Sequence, residues 1–275
     1  MSASLTYVYG LIRADRQPSL RGVPRGMPGG GPVALLAVPG LEPRVTSAAA
    51  SGRSTGRHWL LVSRVPEAAY GTSALERGLQ RLEWVSQRAL AHEAVIEHFL
   101  GSAAVLPMKL FTLFTTDERA GASVLVDRRR MTRILSRVAG QAEWGVRLTW
   151  DPAAAGRAVE SRRRSPGMRP TRLTGAGYLA RKRDLRDATR AHLQKGWAEA
   201  ARVYRAAKAV ATDARRRSEI EQAAPGSRVL LDAAFLVPAA RTKVFRATVR
   251  RHAPALKRSG VAVALSGPWP AYNFI

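Results

Sequence analysis

Short apolar runs rich in β-branched and aromatic residues are spread through the N-terminal half of the chain. Runs of this composition are typical of β-strands, and the first of them predicts an opening strand at Thr6–Arg13. Three more strands are predicted at Val33–Val38, His58–Val65 and Val105–Phe114, the first of them after a loop rich in proline and glycine. We therefore expect a strand-rich start to the chain.

Between the predicted strands, apolar residues recur at spacings of three and four, which indicates amphipathic helices. One long helix is predicted from Ser73 to Leu100, with Ser73 and Glu76 forming a capping box at its start. A second helix is predicted over 120–138, opened by Thr116. His92 lies on the apolar stripe of the first helix, so we interpret it as a buried structural histidine rather than a catalytic base.

Strand and helix patterns alternate through the C-terminal half. Strands are predicted at Glu143–Trp150, Arg228–Val237 and Val261–Ser266, and helices from Gly177 to about Glu221 and at Arg241–Lys257. This order is compatible with a variant ferredoxin-like sheet that carries helices on one face. We therefore predict an α+β protein of two domains, 1–139 and 140–275, the second of them basic and closed by an aromatic tail.

The long C-terminal helix has one apolar stripe and an opposite face crowded with arginine and lysine. The stripe consists of Leu193, Trp197, Ala200, Tyr204, Ala207 and Ala211. Aromatic rings on a basic helix can stack on nucleic-acid bases. Because Trp197 and Tyr204 both lie on the apolar stripe, we expect them to be core residues instead.

The chain ends in an aromatic segment whose backbone is stiffened by proline. Pro268 and Pro270 flank Trp269 and hold the chain extended, so the rings that follow lose little conformational freedom on docking. Tyr272 and Phe274 each add an aromatic surface large enough to hold down a chain terminus. We expect this tail to dock on its own C-terminal domain, with Trp269 in the core; the alternative is a ring cluster offered to a partner.

The formal net charge of +25 changes the picture, because most of the cations lie in the C-terminal half. Residues 1–150 contain 19 Lys and Arg against 11 Asp and Glu, and residues 151–275 contain 26 against 9. A positive field of this size attracts acidic protein surfaces and polyanions. Arginine triplets that begin at Arg128, Arg162 and Arg215 therefore keep a basic nucleic-acid-binding protein open as an alternative.

Composition and motif spacing argue against several classes of protein. The 275-residue chain has no cysteine, no apolar run long enough to span a bilayer and no signal-peptide pattern at its start, so we expect a cytoplasmic protein. Gly29-Gly30-Gly31 lacks the lysine of a phosphate-binding loop, and His92 and His98 have the wrong spacing for a metal site on one helix face. No serine has a nucleophile-elbow context. We predict no catalytic residues, no cofactor and no metal.

Five motifs occur in a fixed order along the chain. They are Tyr7-Val8-Tyr9-Gly10, Arg88-Ala89-Leu90-Ala91-His92, Leu106-Pro107-Met108-Lys109, Glu143-Trp144-Gly145-Val146-Arg147 and Gly267-Pro268-Trp269-Pro270, with Leu231–Val237 before the last helix. In this order the chain resembles the GvpL/GvpF family of gas-vesicle proteins from end to end. It departs from the family at Ala271 and Asn273, where Pro-Pro-Tyr-Ser-Phe is common. It also has Phe111 where members commonly have glycine, so any special backbone geometry at that glycine cannot be carried over to this chain.

The resemblance implies a non-enzymatic accessory or minor structural protein of gas-vesicle assembly, located at the gas vesicle in the cytoplasm. Its implied partners are the small, very hydrophobic shell protein and other vesicle accessory proteins, with no membrane and at most non-specific contact with nucleic acid. Exposed strand edges and a basic domain are the physical means by which such partners bind. The candidate partner-binding residues are Trp269, Tyr272, Phe274, Arg162, Arg163 and Arg164.

Overall fold

The computed structural model describes residues 3–41, 56–101, 104–154, 175–217 and 226–275. The chain folds into two compact units, one formed by Met1–Ala142 with Trp269–Ile275 and the other by Glu143–Pro268. Each unit combines helices with a β-sheet of its own. The predicted α+β class is therefore confirmed.

The first unit is built on a sheet with strand order β2-β3-β1-β4, and a short fifth strand also pairs with β1. Its strands are β1 (Ser4–Ala14), β2 (Ala34–Ala37), β3 (Arg57–Pro66), β4 (Ala104–Pro107) and β5 (Leu113–Phe114). Its helices are α1 (Glu67–Tyr70), α2 (Thr72–Leu79), α3 (Leu82–His98), α4 (Asp117–Val126) and α5 (Arg128–Val138). All the pairings of β1 and β2 are antiparallel. The central strand β1 is buried along most of its length, which explains its continuous apolar and aromatic sequence.

The core of the first unit lies between β1, β3 and the buried side of α3. Tyr7, Tyr9 and Ile12 of β1 pack there with Val95 and Ile96 of α3. Thr116 caps α4, because its side chain accepts a hydrogen bond from the backbone nitrogen of Arg119.

Two predicted helices are each broken into two. The segment 73–100 divides into α2 and α3 at Gln80 and Arg81, and 120–138 divides into α4 and α5 at Asp127. The predicted capping box was wrong. The N-cap of α2 is Gly71, which has no side chain to cap the helix, and Ser73 lies inside the helix. The spacing of Leu79 and Leu82 suggested one continuous stripe, yet both side chains are exposed.

The second unit has the strand order β7-β8-β6-β9. Its elements are β6 (Gln141–Trp150, which begins in the first unit), α6 (Gly175–Val210), β7 (Asp213–Arg216), β8 (Arg228–Pro238), α7 (Thr242–Arg258) and β9 (Val261–Trp269). Both helices pack on β8 and on each other, around a core that includes Val203, Phe235 and Phe245. The strand β7 was missed, because Asp-Ala-Arg-Arg has no strand pattern and pairs only at the edge of the sheet.

The buried side of α6 is rotated from the predicted stripe. Ala200, Val203 and Ala207 are buried, whereas Trp197 is 47% exposed and is therefore not a core residue. The reason lies one position earlier: a Cβ on Gly196 would lie 3.0 Å from Leu230 and 3.1 Å from Val261. Gly196 thus faces the sheet at close approach, and the next side chain points about 100° away from it.

The aromatic tail groups with the first unit instead of closing the second, which corrects the expectation drawn from the sequence. After β9, a short 3₁₀ helix over Tyr272–Phe274 brings Phe274 into a buried position. In this segment Tyr272 contacts Glu93 of α3, and Phe274 contacts Arg137 of α5. Trp269 is exposed by 37%, so the prediction that it lies in the core was also wrong.

Candidate functional site

A buried tyrosine and histidine cluster lies beneath α3 in the first unit. The Tyr7 hydroxyl lies 2.7 Å from Nδ1 of His92, and Nε2 of His92 lies 3.2 Å from the carbonyl oxygen of Met108. Since a carbonyl only accepts, Nε2 carries the proton and Nδ1 accepts from Tyr7. Burial lowers the pKa of His92 to about 4 and raises that of Tyr7, so both side chains are neutral at pH 7.

The neighbouring tyrosine is fixed in the same way. The Tyr9 hydroxyl lies 2.8 Å from the Ser63 hydroxyl and accepts a hydrogen bond of 2.8 Å from the backbone nitrogen of Met27. The next residue is a glycine because a Cβ at position 10 would lie only 2.9 Å from the carbonyl oxygen of Leu106 on β4. The Tyr-Val-Tyr-Gly and Ala-His motifs therefore hold β1, α3 and the Met108 segment together, and the predicted structural role of His92 agrees with its 4% exposure.

Phe111 has a left-handed backbone conformation, with φ of 64°. The geometry that could not be carried over from the family's glycine is nevertheless present: the conformation that glycine adopts easily occurs here with a phenylalanine. The Phe111 ring stacks on Trp84 with centroids 5.4 Å apart and an interplanar angle of 27°. This stacking supplies attraction that helps to offset the backbone strain.

A network of ion pairs lies between strands β6 and β8 of the second unit. Arg217 donates to Glu143 over 3.2 Å and to Asp232 over 3.3 Å, and Arg147 lies 3.6 Å from Asp232. The two carboxylate side chains are only 3% and 8% exposed. The Glu-Trp-Gly-Val-Arg motif and the Asp232 motif therefore meet in one charge-compensated cluster that joins β6 to β8.

The tail brings residues of the last predicted motif to the surface of the first unit. Phe274 is 1% exposed and lies with its ring centroid 6.0 Å from the Arg137 guanidinium of α5. The Tyr272 hydroxyl donates a 2.5 Å hydrogen bond to the carboxylate of Glu93 on α3. Burial and this carboxylate raise the pKa of Tyr272. Trp269, Tyr272 and Ile275 remain 37% exposed each.

The structure thus separates the predicted partner-binding residues. Phe274 is an anchor, whereas Trp269 and Tyr272 present apolar surface. Arg162, Arg163 and Arg164 lie outside the described residues. Sequence periodicity did not reveal the exposed aliphatic side chains of Leu79, Leu82 and Leu90, because helical spacing alone does not tell which leucines face solvent.

Other kinds of site find little support in the described part of the chain. Those residues contain no group of three His, Asp or Glu side chains placed to hold a metal ion. None of the described helices combines the length and the apolar character that a membrane span requires. The described residues instead present exposed aliphatic and aromatic side chains next to arginines, which are features of a protein-binding surface.

Comparisons with known proteins agree with the family resemblance seen in the sequence motifs. The family model "Gas vesicle synthesis protein GvpL/GvpF" matches residues 5–275. Gas vesicle protein L of Streptomyces sp. (strain CB03234) is 30% identical over 225 residues, which cover 79% of this chain and 81% of that protein. The fold is similar to two crystal structures of gas vesicle protein GvpF. The structure from Anabaena sp. PCC7120 has a TM-score of 0.61 at 15% identity and covers 98% of this chain and 95% of its own. The structure from Microcystis aeruginosa has a TM-score of 0.60 at 14% identity and covers 99% of each chain. This chain belongs to the GvpL/GvpF family of gas-vesicle proteins.

Proposed function

We propose that this protein is a non-enzymatic accessory factor of gas-vesicle assembly that binds the small hydrophobic shell protein and other vesicle accessory proteins. It acts at the vesicle, in the cytoplasm. A shell subunit with a large apolar surface aggregates unless a soluble partner covers that surface. Membership of the GvpL/GvpF family over residues 5–275 supports the class of function.

The observation that carries the proposal is the docked tail. Phe274 and the Tyr272–Glu93 hydrogen bond hold the segment against the first unit. Trp269 and Ile275, at its two ends, stay partly exposed and are held with little freedom to lose. Leu90 is 72% exposed and lies one helical turn before Glu93 on the same face of α3. We infer that these side chains together form a preorganised apolar surface, which we call the tail surface.

Co-purification with the shell protein tests the tail surface. We expect Trp269→Ala combined with Ile275→Ser to reduce retention of the shell protein by about tenfold, the effect of losing one aromatic hot spot. Both side chains are partly exposed, so the fold is expected to survive the change. Val244→Ser is the matched control, since Val244 is 56% exposed on α7, far along the chain from the tail.

Equal retention by the tail variant and the control would contradict the role of the tail surface. A wild-type protein that never retains the shell protein would contradict the proposed function itself. Far-UV circular dichroism of each variant separates either result from unfolding.

We also infer a ferredoxin-like arrangement for the second unit. The order of elements is β6, α6, β7, β8, α7, β9, and the strand order β7-β8-β6-β9 is that of a split βαβ sheet. Helices α6 and α7 share one core with β8, as expected of helices on one face. An experimental structure of residues 143–268 tests this inference, and helices on both faces would contradict it.

A further inference from the structure

A surface depression of about 360 Å³ lies among α1, α2 and α3 of the first unit. Small residues, including Ala74 and Gly78, form its floor, and the Trp84 ring forms a wall. A Cβ on Gly78 would lie 2.7 Å from that ring, so glycine is what allows the indole to lie this close to α2. Three guanidinium groups, those of Arg77, Arg81 and Arg88, complete the lining. The depression therefore has an apolar floor and only positive charges, with no carboxylate among its lining residues.

Arg88 is the residue that most needs an explanation. It is 8% exposed, with its guanidinium carbon 3.7 Å from the Trp84 ring centroid and 5.3 Å from that of Tyr70. One terminal nitrogen donates to the carbonyl oxygen of Trp84 over 3.2 Å, whereas Nε is buried and donates to no acceptor. Among the residues that the structure describes, no carboxylate pairs with Arg88. Ring faces, the Tyr70 hydroxyl and a neutral carbonyl are thus its main compensation.

A buried guanidinium without a counter-ion is costly, because its charge has been removed from water without an opposite charge to replace the lost hydration. Arg77 and Arg81 increase the positive potential at the mouth of the same depression. A carboxylate entering there would gain charge-assisted hydrogen bonds from a planar, preorganised donor. The arrangement therefore favours a carboxylate as the missing anion.

The surroundings of the depression specify what carries that carboxylate. Leu79 at the end of α2 is 54% exposed, and Leu82 at the start of α3 is 82% exposed. Both leucines lie next in sequence to the lining residues Gly78 and Arg81. A free small anion leaves these aliphatic side chains in water, whereas an acidic residue flanked by apolar residues of a protein chain covers them.

We propose that this depression, with Leu79 and Leu82, is a docking site for an acidic side chain carried by an apolar segment of a protein partner. The carboxylate lies against Arg88, Arg77 and Arg81, and the flanking apolar residues cover the two leucines. This site shares no residue with the tail surface and gives the protein a second, charge-selective point of attachment. It extends the proposed accessory role by naming the chemistry of a partner segment.

Fluorescence anisotropy with synthetic peptides tests the proposal on the full-length protein. The probes are a short labelled peptide in which glutamates are flanked by leucines, its isosteric glutamine counterpart, and a glutamate peptide in which serine replaces leucine. At about 0.15 M salt we expect the glutamate–leucine peptide to bind with a dissociation constant below about 1 mM. Both other peptides are expected to bind about tenfold more weakly, which is the effect of losing one charge-assisted hydrogen bond or one apolar contact.

Variants locate the binding. Arg77→Gln with Arg81→Gln is expected to weaken the glutamate–leucine peptide about tenfold, and Leu79→Ser with Leu82→Ser to do the same. Arg129→Gln with Arg130→Gln is the matched control, because it removes the same charge from exposed positions on α5. It is expected to change the affinity by less than about twofold. Arg88→Gln is not needed, so a folding defect at that buried position does not affect the test.

Three results would overturn the proposal: no binding at about 1 mM peptide, equal binding of the glutamate and glutamine peptides, or equal effects of the two arginine pairs. A labelled single-stranded oligonucleotide of matched charge is the fourth arm. Tighter binding of that oligonucleotide, lost in the Arg77→Gln, Arg81→Gln variant and kept in the control, would assign the site to nucleic acid instead. Because no shell protein is used, failure here is distinguishable from failure of the proposed function.

Discussion

At the scale of single residues, Phe111 occupies a backbone conformation that is unfavourable for any residue with a side chain. The left-handed region costs roughly 1–2 kcal/mol for such a residue, and stacking on Trp84 returns about 0.5–1.5 kcal/mol. We predict that Phe111→Gly is more stable than Phe111→Ala by about 1 kcal/mol, because both lose the ring and only glycine relieves the strain. Urea unfolding of the two variants measures this difference directly.

The difference in unfolding free energy between these two variants is more informative than the difference of either from the wild type. Alanine is the more stabilising residue at most positions with ordinary backbone angles, through the unfolded state. A Phe111→Ala variant as stable as Phe111→Gly would therefore show that the left-handed conformation is not maintained in solution.

His92 makes a second prediction at this scale, since its pKa is lowered by burial to about 4 from an ordinary value near 6.5. The unfolded chain binds the proton more readily, so stability is full above pH 6.5 and is lost as the pH falls toward 4. The loss from this group is at most about 3 kcal/mol. We expect His92→Gln, whose amide can still meet Tyr7 and Met108, to lose less stability over the same range. Urea unfolding at pH 7 and pH 4.5 checks this, and parallel pH dependences of the two proteins would contradict it.

At the scale of elements, one arginine connects the strands of the second unit. Arg217 follows β7 and compensates Glu143 on β6 and Asp232 on β8. Removing it takes one cationic partner from each of two nearly buried carboxylates, so we predict that Arg217→Met costs about 2–3 kcal/mol near neutral pH. Thermal unfolding checks this prediction, with Arg228→Met on the exposed end of β8 as the control; equal shifts in the two variants would rule out the network.

The elements also show how far a sequence predicts a fold. Strands β1, β3 and β8 were predicted because each carries a dense run of β-branched and aromatic residues. The break at Gln80 was not, because Leu79 and Leu82 keep helical spacing across it. Both side chains are exposed because of the way α2 and α3 pack in the folded unit, which helical spacing alone does not encode. Arg88 is a similar case. Its sequence position suggests an ordinary surface cation, whereas in the fold its guanidinium lies against the rings of Trp84 and Tyr70.

At the scale of the whole molecule, the chain crosses from the first unit to the second at residues 142–143 and returns at residues 268–269. The sequence predicted that the tail docks, because its rings and prolines make docking favourable. The predicted location, the C-terminal domain, was wrong, because Tyr272 pairs with a carboxylate that only the fold brings near, 179 positions away at Glu93. Buried residues of the family-typical motifs, such as Tyr7 and His92, hold the elements of the fold together. The candidate contact residues Trp269, Leu79 and Leu82 are surface positions.

Truncation after Pro268 tests this return of the chain. The truncated protein loses the buried Phe274 ring, whose replacement by alanine alone is worth about 3–5 kcal/mol, and the Tyr272–Glu93 hydrogen bond. We therefore predict faster amide hydrogen exchange in α3 around Glu93 and in α5 around Arg137, with little change in β8. Because β8 belongs to the other unit and has its own core, its protection reports on the second unit alone. Loss of protection in β8 with α3 and α5 unchanged would mean that the tail closes the second unit in solution. The single substitution Phe274→Ala should reproduce the pattern of the truncation, since the anchor and not the exposed Trp269 supplies most of the stability.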